Sequence, residues 1–154
     1  MRKLLLLVAF TVLLSAVATP SAQSRPANRK EPFIRAWKLA RLEEPDAAGK
    51  IQRADCNGLL VFTRDGHMSV QVMYRNAQPK EQAGPVQYAQ GGYEASFGTY
   101  QINDARTFTF HVDGAMVRSL IGKDLPRSYE FVGKQLIVKS TDAKEHWKVA
   151  WEHF

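Results

Sequence analysis

The sequence predicts an all-β protein, an eight-stranded antiparallel up-and-down barrel with one or two short helical segments in its loops. Three observations carry this. Runs that alternate apolar and polar residues recur from Phe33 to Phe154, the period of a half-buried strand. Most of these runs are joined in pairs by short turns rich in Gly, Asn and Asp, so consecutive strands pair antiparallel. The last run supplies an edge partner for the first, and a sheet of eight strands with one apolar face closes most easily into a barrel.

The first run, Ile34 to Glu43 (IRAWKLARLE), puts Trp37 and Leu39 on one face of a strand, although Ala, Leu, Lys and Arg also tolerate a short amphipathic helix. Glu44-Pro45-Asp46 and Ala48-Gly49-Lys50 make a polar loop. Gly58 to Met73 is the strongest local signal, two β-rich runs joined through Arg64-Asp65-Gly66. With a type I turn and Gly66 in the left-handed bulge position, Leu60, Phe62, Met68, Val70 and Val72 share one face. Thr63, His67, Ser69 and Gln71 then share the other, whereas a two-residue turn shifts the pairing by one.

Asn76 to Gly92, rich in Gln, Pro, Gly and Ala, reads as a loop with one or two helical turns and as a candidate lid. A second hairpin joins Ser96 to Asn103 and Arg106 to Val112 through Asn103-Asp104-Ala105. In its second strand Phe108 and Phe110 oppose Thr107, Thr109 and His111, and either face can point inward. Gly114 to Pro126 is a long connection with a short helix at Val117 to Ile121. Arg127 to Val132, a Gly133-Lys134 turn and Gln135 to Ser140 form the third hairpin. The final strand, Glu145 to Phe154, alternates Trp147, Val149 and Trp151 against Lys148, Ala150 and Glu152. No internal repeat is evident.

Residues 1–24 differ from the rest. Arg2 and Lys3 precede an almost unbroken apolar run from Leu4 to Val17, the pattern of a secretory signal peptide, with small residues placing cleavage between residues 18 and 24. The run is 14 residues long, short of the roughly 20 that span a bilayer. The only cysteine, Cys56, lies too far downstream for a lipoprotein signal. The chain is therefore expected to be exported, periplasmic or secreted, without stable membrane insertion after cleavage. Residues 25–32 read as a flexible basic leader and 33–154 as the barrel domain, with enough apolar material for one core.

Lys and Arg number 21 against 15 Asp and Glu, a net charge of +6 that falls to about +4 without Arg2 and Lys3. That is mildly basic, and no nucleic-acid motif accompanies the basic residues near the leader. No ligand spacing for a metal joins His67, His111, His146 and His153, and no nucleophile elbow or phosphate loop occurs. No cofactor and no nucleic-acid partner are expected. A lone Cys56 between Asp55 and Asn57 has no neighbour to activate it. The expected state is a monomer or weak homodimer.

The order of segments resembles the lipocalin-like domain proteins of the calycin superfamily. The matching pieces are Ala36-Trp37-Lys38-Leu39, the hairpin from Gly58 to Gln71, Phe97-Gly98-Thr99-Tyr100, Phe110-His111-Val112 and Arg127 to Leu136. Arg35-Ala36-Trp37 stands where lipocalins proper carry Gly-x-Trp, which places the chain with the looser lipocalin-like group. The resemblance implies a small barrel with an internal cavity, in a group whose ligands are mostly undefined.

An eight-stranded barrel either fills with side chains or holds one small ligand. The cavity candidates are Gln71, Tyr100, His111 and Arg127 as polar groups, with Phe62, Met68, Phe97, Phe108, Trp147 and Trp151 as apolar wall. The expected function is binding of a small apolar or amphipathic molecule. The alternatives are an isomerase or cyclase using His111 with Tyr100, or Glu130 near Arg127, and a filled barrel acting through protein contacts.

Overall fold

A computed structural model describes residues 29–76 and 92–154. The expected signal peptide, residues 1–24, and the central part of the candidate lid, residues 77–91, lie outside the described residues. Nine strands make one antiparallel sheet: β1 (Arg35–Pro45), β2 (Ile51–Ala54), β3 (Cys56–Phe62), β4 (His67–Tyr74), β5 (Tyr93–Ile102), β6 (Thr107–Ala115), β7 (Asp124–Val132), β8 (Gln135–Ser140) and β9 (Lys148–His153). From β3 onward each strand pairs with the next, and β1 pairs with both β3 and β9, which closes the sheet on itself. Short β2 pairs only with the end of β1 and runs into β3 past Asp55. The two share one position in the barrel, so the closed barrel has eight.

The first hairpin follows its turn chemistry. Phe62 faces Met68 and Leu60 faces Val70, the Thr63 N–H donates to the His67 carbonyl at 2.9 Å, and Gly66 takes φ 98°, a conformation that favours glycine. The expected short helix near Val117 is one 3₁₀ turn, Arg118–Leu120.

Two irregularities set which side chains face inward. The β1–β9 register shifts between Leu39 and Arg41, so Ala40 is an extra residue and the inward phase changes from Trp37 to Leu42 and Glu44, all three buried. A second shift occurs where Phe97 faces Gly114 while Gly98 faces Val112, leaving Asp113 as the extra residue. In β6 the aromatic face is the inner one: Phe108, Phe110 and Val112 are buried, and His111 is exposed.

One end of the barrel is sealed by aromatics. Phe33, fully buried, comes from the turn that precedes β1. Its ring lies 4.7 Å from Tyr129, 5.1 Å from Phe131, 5.2 Å from Phe62 and 5.9 Å from Phe108, largely edge to face. Such geometry directs ring edges at ring faces and adds to simple area burial. The end of the segment read as a flexible leader forms this turn, with the Phe33 N–H donating to the Lys30 carbonyl. Glu31 receives two guanidinium bonds from Arg64, each 3.0 Å.

Candidate functional site: a cavity with one open end

Opposite the aromatic seal the barrel interior is hollow. A cavity of about 410 Å³, within the range of small-molecule sites, runs from the middle of the barrel to its other end. Leu60, Met68, Val70, Val72, Phe108, Phe110, Leu125, Val138, Val149 and Trp151 form its apolar wall. The mouth is edged by Pro45, Leu120, Lys144, Glu145 and His146. The hollow arises because the long aromatic side chains are concentrated at the sealed end, while Val and Ser occupy the inward positions of β4 and β5 nearer the mouth.

Few polar groups reach this space, and each has a distinct setting. Arg127, carried inward by β7, stacks its guanidinium 5.1 Å from the centre of the Trp147 ring, an attraction to the ring's negative face. Its Nη1 donates to the Pro126 carbonyl at 3.0 Å. Burial pulls its pKa below the ordinary arginine value, and the charge of Glu145 opposes that shift. The Trp147 indole N–H in turn donates to Glu145 at 3.1 Å, so cation, ring and carboxylate form one linked group beside the mouth.

Glu94 is different. Its side chain lines the cavity from β5, the residue is only 2% exposed, and among the described residues neither carboxyl oxygen has a hydrogen-bond partner. Burial pushes its pKa up to about 7, with the Ser96 hydroxyl offsetting this in part. Glu44, at the same end of the barrel on β1, is also buried, with Oε2 unpartnered among the described residues and a pKa raised by burial to about 6.

Of the residues singled out from the sequence, the structure brings Met68, Phe108, Arg127, Trp147 and Trp151 together around the cavity. Phe62 and Tyr100 point inward but belong to the sealed end, where their rings lie 4.8 Å apart and the Tyr100 hydroxyl donates to the Thr63 carbonyl at 3.0 Å. Gln71, Phe97 and His111 are on the outer surface. Gln71 alternates with inward Val70 and Val72. Phe97, 58% exposed, covers Gly114 so closely that an added Cβ there would lie 2.5 Å from its ring, a cross-strand aromatic resting on a glycine. His111 sits between two aspartates, 2.7 Å from Asp124 and 3.7 Å from Asp113.

Neither acid–base pair considered from the sequence is assembled. His111 and Tyr100 lie on opposite sides of the sheet, and Glu130 points outward to Lys139 at 3.3 Å while Arg127 points in. Among the described residues no three His, Cys, Asp or Glu side chains converge as a metal site.

Sequence reasoning missed Glu94, Ser96 and Glu44. For the first two a signal existed: Glu94, Ser96, Gly98 and Tyr100 alternate in one phase, and starting the strand three residues earlier would have put Glu94 inside. For Glu44 none existed, because the bulge at Ala40 reverses the phase without a Gly or Pro to mark it.

The fold and cavity together define a lipocalin-like β-barrel whose described residues leave a hollow at one end. Residues 36–153 match the family model described as the lipocalin-like domain, and the chain belongs to that family. No curated protein matched the sequence. Among solved structures, a protein from Bacteroides eggerthii titled as uncharacterized is similar at 14% identity and TM-score 0.46, over 79% of this chain and 99% of that one. A redesigned β-barrel is similar at 8% identity and TM-score 0.45, over 85% of this chain and 99% of its own.

Proposed function

We propose that the protein is an exported carrier that binds one small apolar or amphipathic molecule inside its barrel. The observation that carries this reading is the cavity itself: about 410 Å³ of space among the described residues, walled mainly by Leu, Val, Phe, Met and Trp side chains. Interiors of this size normally close up around their side chains, so an apolar hollow of these dimensions is a site rather than a packing fault. A small number of polar groups in an apolar wall is the usual composition of a ligand pocket, where they fix the ligand's orientation. Export is supported by Arg2, Lys3 and the apolar run from Leu4 to Val17.

The test is native mass spectrometry of the protein purified from its own compartment. Titration with apolar probes then follows the fluorescence of Trp147 and Trp151, which line the cavity. A retained small molecule, or saturable fluorescence change with a probe, is the expected result. A clean apo mass with no response across fatty acids, alcohols, amines and aromatic metabolites would instead favour a barrel acting through its outer surface.

A further inference from the structure

Glu94 contributes nothing visible to the stability of the barrel. A buried carboxylate without a partner is strongly disfavoured once ionised, and a methionine or leucine would fill the same place without that penalty. The acid faces the cavity, and among the described residues neither oxygen has a partner in good hydrogen-bond geometry, the Ser96 hydroxyl acting on it only weakly against burial. Among the described residues burial and Ser96 act on its proton, and no charged side chain does. Arg127, a cation in the same wall, is already engaged by the Trp147 ring, the Pro126 carbonyl and the charge of Glu145. Lys144, Glu145 and His146 stand exposed at the rim, and Glu44 adds a second buried acid at the mouth end. The cavity therefore presents hydrogen-bond acceptors that the described protein does not satisfy.

We propose that the cavity selects an apolar amine, with its body against Leu60, Val70, Phe108 and Trp151 and its ammonium group on Glu94. This rests on the carrier reading above and adds the chemistry of the ligand's polar end. An ammonium brings three N–H donors and the opposite charge to two bare acceptor oxygens. An alkanol brings one donor and no charge, and a fatty acid sets a second carboxylate against the first. Away from water such a charge-assisted contact is stronger than at the surface.

Octylamine, octanol and octanoate, equal in apolar length, separate these cases when titrated into the purified protein at pH 8 and pH 5.5 with tryptophan fluorescence as the signal. At pH 8 octylamine binds at least about tenfold more tightly than octanol, as expected for a charged hydrogen bond. At pH 5.5 that advantage shrinks, because Glu94 then holds a proton that the ammonium has to displace while octanol does not. Glu94→Gln abolishes the amine preference at pH 8 and leaves octanol affinity within about threefold, the neutral amide keeping the shape. If octanol binds but octylamine is no tighter, or if Glu94→Gln keeps the preference, the amine proposal is overturned and the carrier reading stands. If none of the three probes binds, both fall. Should Glu94→Gln fail to fold, the two wild-type pH series decide the matter.

Discussion

The indole N–H of Trp37 donates to the carbonyl oxygen of Phe33 at 2.9 Å, tying the first barrel strand to the residue that seals the closed end. Trp37 follows Phe33 by four positions, so the turn before β1 is folded back over the barrel by a bond made inside it. Phe33→Ala removes the ring on which Phe62, Phe108, Tyr129 and Phe131 converge. A loss of about 3–5 kcal/mol is expected, read from the urea midpoint at unchanged m-value.

Gly98→Ala tests the second bulge. An added Cβ would lie 1.9 Å from the His111 carbonyl oxygen and 2.8 Å from the Asp113 nitrogen, both backbone atoms that cannot swing aside. The substitution is expected to cost at least about 3 kcal/mol, at or beyond the upper end of ordinary overpacking. A melting temperature within a degree of wild type would mean that β6 does not approach β5 this closely.

Stability should fall as pH rises from mildly acidic to neutral. Burial raises Glu94 to about 7 and Glu44 to about 6, against about 4.5 for an ordinary glutamate. The folded state thus binds more protons than the unfolded chain across that window. The stabilisation is complete below about pH 4.5 and is lost as pH rises through the folded values, at no more than about 1.4 kcal/mol per pH unit for each group. Asp65, Asp104 and Glu43, held low chiefly by hydrogen bonds, act oppositely and only on the acid side of their ordinary range. Melting curves between pH 5 and 7.5 check this: the wild-type slope should be more negative than that of the Glu44→Gln/Glu94→Gln double variant. Parallel slopes would show that both carboxyls find cations.

Val70→Phe places a ring in the hollow from the middle of β4. It should leave the melting temperature equal or higher, as cavity filling does, and weaken octanol binding at least about tenfold, close to the 1.4 kcal/mol that defines that factor. Unchanged binding would locate the probe somewhere other than the barrel interior.

His111→Ala should leave probe affinity unchanged within error, since the imidazole lies outside the barrel between Asp113 and Asp124. A tenfold loss measured by the same fluorescence titration would contradict that orientation.

Much of the fold was legible because hairpins are local. The Arg64-Asp65-Gly66 turn dictated both the pairing of β3 with β4 and its inward face, and the Trp-containing first and last strands do close the barrel. The inner face of β6 was not legible: Thr107, Thr109 and His111 suit a wet cavity as well as solvent, and only packing against Phe33 and Phe62 selects Phe108 for the interior. Phe97 misled for a related reason. An aromatic on a strand reads as core, yet here Gly114 across the outer surface gives it a seat. The polar side of the site was the hardest part. Arg127 followed from strand phase, Glu94 from a strand that begins earlier than its turn residues indicate, and Glu44 from a bulge that leaves no mark in residue type.

Because Phe33 and its neighbours stop one end of the barrel, the hollow is a cul-de-sac. Whatever occupies it leaves by the way it entered, and no second molecule can push from behind. Replacement then runs strictly in sequence, departure before arrival, so an excess of competitor cannot hasten it. Every departure passes the one mouth, where Trp147, Arg127 and Glu145 hold one another in place.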